Sequence, residues 1–201
     1  MKKALLSLVL LGGLSSVASA QSVRFGLKAG ATLANFRGDD IEDTKSIYGY
    51  HAGFAANLGI TEHLSLQPEL LYSQKGTKLE EDNVKLVQRL HYIDIPLLVK
   101  YNFGGAFVEA GPQFGLLVSY SSKLKDDNDE LDLSDLEYNP YTPSDVGFVV
   151  GAGYQLGNGL TAGVRYNGGL SRIAAPDYNN KLKVHNSAFQ VQIGYMFGSG
   201  E

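Results

Sequence analysis

The sequence predicts an all-β fold, an eight-stranded antiparallel up-and-down transmembrane β-barrel, on three observations. From Val23 onward apolar and polar residues alternate with a period of two, in eight successive segments. The intervals between the segments are alternately short and long. The charged residues of the segments fall on the face opposite the apolar side chains. Composition agrees, since 24 Gly and 12 Tyr among 201 residues favour strands joined by turns. Charged residues make up 19%, too few for a disordered acidic chain. A mean hydropathy of −0.10 excludes a bundle of transmembrane helices, because each would need about 20 consecutive apolar residues. Zero cysteines exclude disulfide frameworks, thiolate metal sites and cysteine nucleophiles together.

Met1 to Ala20 reads MKKALLSLVLLGGLSSVASA. Lys2 and Lys3 precede a short apolar run, and Ala18-Ser19-Ala20 forms a small-residue cleavage site before Gln21. This is the pattern of a secretory signal peptide, and the run is too short for a membrane anchor. The expected division is therefore signal peptide 1–20 and barrel domain 21–201. Removing Lys2 and Lys3 from 17 basic residues leaves 15 against 21 acidic, a net charge of −6. An exported chain without basic excess is not a nucleic-acid binder.

The first segment places Val23, Phe25, Leu27, Ala29, Ala31 and Leu33 on one face, with Arg24, Gly26, Lys28, Gly30 and Thr32 on the other. The second sets Ala52, Phe54, Ala56, Leu58 and Ile60 against Gly53, Asn57 and Gly59. The third sets Leu64, Leu66, Pro68, Leu70 and Tyr72 against Ser65, Gln67, Glu69 and Ser73. The fourth sets Ile93, Ile95, Leu97, Val99 and Tyr101 against Asp94, Pro96 and Lys100. The fifth sets Val108, Ala110, Pro112, Phe114, Leu116 and Val118 against Glu109, Gly111, Gln113 and Ser119. The sixth sets Val146, Phe148, Val150, Ala152 and Tyr154 against Asp145, Gly147, Gly151 and Gln155. The seventh sets Leu160, Ala162, Val164 and Tyr166 against Thr161, Gly163, Arg165 and Asn167. The eighth sets Phe189, Val191, Ile193, Tyr195 and Phe197 against Gln190, Gln192 and Gly194.

Short turns are expected at 61–63, 102–105 and 157–159, and long loops at 35–48, 74–89, 121–144 and 170–183. Short turns at one end and long loops at the other suit a membrane barrel. An even number of strands puts both termini at the short-turn end, the periplasmic side after export.

A barrel with one apolar face either encloses that face, as a ligand-binding barrel does, or turns it to lipid. The apolar faces above contain no Lys, Arg, Asp or Glu. The opposite faces carry Arg24, Lys28, Lys100 and Arg165 against Glu69, Asp94, Glu109 and Asp145. Balanced charges suit a narrow interior, where an unpaired charge is costly. Glycines on the same face make room there for long cationic side chains. Phe25, Tyr72, Tyr101, Phe103, Tyr120, Tyr154, Tyr166, Tyr195 and Phe197 lie near strand ends, as interfacial girdles require. The apolar face is therefore expected outside.

Three strings carry a resemblance: LQPELLYSQKG at 66–76, YIDIPLLVKY at 92–101 and EAGPQFGLL at 109–117. In this order they resemble the porin-family outer-membrane β-barrel proteins of Bacteroidota. The overall plan resembles the eight-stranded OmpA and OmpX barrels. QIGYMF at 192–197 resembles the signal read by the barrel-assembly machinery, although four residues follow Phe197. The resemblance implies outer-membrane lipids as the environment, that machinery as a partner during insertion, and a surface partner at the long loops.

The eight interior charges form one candidate constellation, read first as a structural ion-pair plug and second as a narrow conduit. A second candidate is a cation site at Asp126, Asp127, Asp129 and Glu130, in the acidic stretch 123–138. It lacks the glycine and closing glutamate of an EF-hand loop. Catalysis has no motif behind it. His51, His63, His91 and His185 are scattered, and Asp145, His91, His185 and Ser187 are the only set placed near one end. GAGYQLGNG at 151–159 has the wrong spacing for a phosphate loop. The expected role is a non-catalytic, cofactor-free membrane barrel acting through its loops. The alternatives are a narrow channel and a periplasmic ligand-binding barrel.

Overall fold

A computed structural model describes residues 23–38, 44–81, 84–125, 130–132, 140–174 and 183–198. The strands are β1 (Val23–Arg37), β2 (Thr44–Lys45), β3 (Ile47–Gly59), β4 (Leu64–Glu81), β5 (Val84–Phe103), β6 (Ala106–Lys125), β7 (Glu130–Asp132), β8 (Ser144–Gln155), β9 (Leu160–Gly169) and β10 (His185–Met196). Eight of them pair antiparallel in the ring β1–β3–β4–β5–β6–β8–β9–β10, closed by β10 on β1. The short strands β2 and β7 add to β4 and β6. Closure leaves no unpaired edge in the wall, the condition for crossing a bilayer with strands.

The wall is inverted relative to a soluble barrel. Phe54 is 64% exposed, Val191 62% and Ile193 63%, whereas Lys28, Glu69, Glu109 and Arg165 are each at most 6% exposed. Period-two geometry makes this sorting automatic once one residue of a strand is fixed. Adjacent positions show it: Leu97 faces out and Leu98 in, and Val150 faces out and Val149 in. An outer surface of such apolar side chains is energetically at home in hydrocarbon.

Two structural details follow from local chemistry. Gly104 and Gly105, with φ of 66° and 95°, close the β5–β6 hairpin in a conformation that favours glycine at both positions. Pro68, Pro96 and Pro112 cannot donate to the ladder. Each pairs with the following strand, while pairing toward the preceding strand lapses beside it.

The structure corrects three expectations. The intervals 74–89 and 121–144 are not wholly loop. Pairing of β4 with β5 runs on from Gln74 with His91 to Glu81 with Val84, and β6 continues to Lys125. The first loop is likewise shortened, since β1 reaches Arg37 and β3 starts at Ile47. Beyond the membrane the outward face of a strand is wet and polar as well, so the apolar–polar contrast that marks strands disappears there. On this extension Lys45, Lys78 and Lys85 converge on Glu80 at 2.5, 2.8 and 3.7 Å. Hydrogen bonds from Lys45 and Lys78 hold the Glu80 carboxyl down at about 2.

The third correction concerns Tyr120, expected in a girdle. A bulge sets Tyr92 against Leu117 and His91 against Ser119, so Val118 has no partner. The extra residue reverses the alternation of β6. Val118 is 54% exposed, and Tyr120 turns inward against an apolar cluster of Phe36, Leu90, Tyr92, Ile173 and Val184. A second cluster of Ala34, Ile47 and Ala188, with Val87 against it, lies at the same end. Apolar side chains thus cap the long-loop end of the lumen.

Val191 pairs with Ala31 and Val164, halfway along the wall. Val191→Arg should destabilise the barrel in lipid vesicles by about 2–4 kcal/mol, measured by urea unfolding. An unchanged midpoint would contradict a lipid-facing Val191.

Candidate functional site: an ion-paired lumen

The sequence-derived interior residues sort into three levels. In the middle, Arg165 on β9 donates through Nη1 to Glu69 on β4 at 2.7 Å and through Nε to Glu109 on β6 at 2.7 Å. Its Nη2 reaches the other Glu69 oxygen, also at 2.7 Å. Lys28 on β1 bonds Glu69 at 2.7 Å and stands 4.0 Å from Glu109. Gln67 adds hydrogen bonds to Glu69 at 2.7 Å and Glu109 at 3.3 Å. Two cations and two carboxylates therefore neutralise one another across the lumen, and the fork geometry of arginine suits this bridging.

Glycine makes the bridge possible. A Cβ at Gly151 would stand 3.1 Å from Arg165 Cγ and 3.3 Å from Glu109 Cγ. One at Gly194 would stand 3.1 Å from Lys28 Cγ and 2.7 Å from Thr161 Oγ1. Any larger side chain must push into the pairs.

Above this level, toward the long-loop end, Lys75 bonds Asp94 at 3.0 Å and approaches Asp145 at 3.8 Å. Ser73 also donates to Asp94. Asp145 accepts from Ser171 Oγ at 3.0 Å and Asn186 at 2.9 Å. Lys75 is 2% exposed and lies 4.8 Å from the Tyr92 ring centroid, which joins this level to the apolar cap. Lys75 was missed by sequence reasoning because it fell within an expected loop. Its parity with Gln67, Glu69 and Ser73 was the available signal.

Below the middle level the arrangement differs. Lys100 donates to Gln155 at 3.0 Å and sits 3.9 Å from the Phe107 ring centroid. Among the described residues neither Lys100 nor Arg24 has a carboxylate within 4.0 Å. Six of the eight residues thus join ion pairs or their carboxylate shells, and two stand apart.

Asp126, Asp127 and Asp129 lie outside the described residues, and of Glu130 only the backbone pairing with Lys125 falls within them. Residues 1–20, the expected signal peptide, also lie outside them. Among the described residues no group of three or more His, Asp or Glu could hold a metal ion. The set Asp145, His91, His185 and Ser187 does not assemble. His91 bonds Tyr72 Oη at 2.7 Å. His185 Nδ1 bonds the Ser171 carbonyl at 2.8 Å, and Ser187 Oγ lies 3.1 Å from Tyr166 Oη. Asp145 faces the lumen, bonded to Ser171 and Asn186.

An apolar wall closed around a charge-paired lumen defines the class: a membrane-spanning β-barrel. A family model for the outer membrane protein beta-barrel domain matches residues 19–175, and the chain belongs to that family. Neisserial surface protein A shares 14% identity at a TM-score of 0.53, over 88% of this chain and 99% of its own. Ail, the attachment invasion locus protein of Yersinia pestis, crystallised with the heparin analogue sucrose octasulfate, shares 11% identity at 0.49, over 88% and 99%. OprG from Pseudomonas aeruginosa shares 10% identity at 0.43, over 89% and 98%. No curated protein matches the sequence.

Removing one partner of a buried pair strands the other. Arg165→Met and Glu69→Gln should each destabilise the refolded barrel by about 3–5 kcal/mol in urea titrations. The double variant should lose less than the sum of the two. Strict additivity would show that the pair does not couple.

Proposed function

We propose that this protein is an integral outer-membrane barrel of structural or surface-interaction role, working through its long-loop end and not as a conduit or an enzyme. The filled lumen carries the reading. Arg165, Glu69, Glu109 and Lys28 lock across the middle, and an apolar cap lies above Lys75, Asp94 and Asp145. A barrel of eight strands has an interior just filled by side chains, so solute passage would require breaking buried pairs. The dispersal of His91, His185, Ser187 and Asp145 supports a non-catalytic role.

The outer end offers material for contact. The β4–β5 extension carries exposed Lys85, β2 beside it carries exposed Lys45, and Tyr48 is 81% exposed nearby. In this reading residues 1–20 direct export and are removed, and the barrel-assembly machinery inserts the mature chain. Both ends of the described barrel, Val23 and Met196, stand with the short turns, which this reading places in the periplasm. The long-loop end then faces outward, toward a partner on or beyond the cell surface.

Because the chain has no cysteine, single-cysteine labelling tests the orientation directly. A membrane-impermeant maleimide should label Val84→Cys in intact cells, and Asn158→Cys only after permeabilisation. The same preparations in planar bilayers should show no stepped conductance. Reversed labelling, or a stable unit conductance, would contradict the reading.

A further inference from the structure

At the short-turn end the lumen opens into a cavity of about 460 Å³ whose lining includes Arg24, Glu62, Asn102, Tyr154, Gln155 and Leu156. That size falls within the range of about 300–1,000 Å³ common for small-molecule sites. Arg24 Nε is buried there and has no hydrogen-bond partner, a costly state for a guanidinium N–H. Lys100, 2% exposed, makes its hydrogen bond to Gln155, which itself lines the cavity. The carboxylates of the level above are already held by Lys28 and Arg165. The lower lumen is therefore positive, open on one side and closed on the other, which makes it a dead end and not a path.

We propose that this mouth binds a small organic anion, with its oxyanion head on Arg24. Arginine presents a planar fork of donors matched to carboxylate and phosphate. Lys100, behind Gln155, adds a second positive charge without competing for the same position. Glu62 is the opposing charge: it lines the same cavity yet lies beyond 4.0 Å from any cation among the described residues. An anion entering the mouth is attracted by Arg24 and repelled by Glu62, so the two side chains have opposite effects on affinity. This site lies at the opposite end from the surface role proposed above and does not depend on it.

The full chain refolded in uncharged detergent at low ionic strength, where screening is weakest, serves for calorimetric titration. The probes are N-acetylalanine, its neutral amide and inorganic phosphate. N-acetylalanine should bind saturably and the amide should not. Tighter binding of N-acetylalanine than of phosphate assigns the head to a carboxylate, and the reverse assigns it to a phosphate. Arg24→Gln should weaken binding about tenfold or more, the loss expected for one charge-assisted contact. Heat-modifiable migration on gels verifies that this variant folds. Glu62→Gln, in an exposed turn, should tighten binding. The proposal is overturned by no saturable heat with either anion, by Arg24→Gln binding as the unaltered chain does, or by weaker binding in Glu62→Gln.

Discussion

Arg165 is the side chain on which the interior depends. It extends from β9 across the lumen to Glu69 on β4 and Glu109 on β6, strands that are not its neighbours in the ring. Backbone pairing ties each strand only to the next, so this bridge braces the barrel across its diameter. It can exist only because Gly151 leaves space beside it and Lys28 supplies the remaining positive charge. Carboxylates buried without those cations would be too costly to keep ionised. Interior volume, glycine placement and charge balance are thus one constraint.

The two ends of the lumen resolve the same constraint differently. At the long-loop end, side chains of the extended hairpin and of residues 173 and 184 cover the paired charges with apolar bulk. At the short-turn end the charges are not balanced, and the lumen opens to solvent beside Arg24 and Lys100. Fold and chemistry connect at the bulge opposite His91. By turning Tyr120 inward it helps to build the cap that separates the paired lumen from the outside.

The wall was legible in the sequence because lipid on one side and a polar lumen on the other impose opposite demands on alternate residues. Leu97 and Lys100, or Val164 and Arg165, declare their faces without any coordinates. Where that contrast ends, legibility ends. Lys75 was lost because β4 beyond Tyr72 is polar on both faces, and the pairing to Glu81 had no apolar stripe to mark it. Tyr120 was misplaced because an unpaired Val118 is invisible to a parity count. The partners within the lumen depend on strand order and stagger, so the sequence offered the set Glu69, Glu109, Lys28 and Arg165 but not who meets whom. The separateness of Arg24 and Lys100 was likewise legible only in three dimensions.

Lipid touches one parity of each strand and the lumen the other. Adjacent methyl-bearing residues test this most directly, in NMR cross-relaxation between lipid acyl chains and the protein in bilayer discs. Acyl protons should relax to the methyls of Leu97 and Val150 and not to those of Leu98 and Val149. Equal transfer to both members of each pair, or transfer to the inner members alone, would contradict the account.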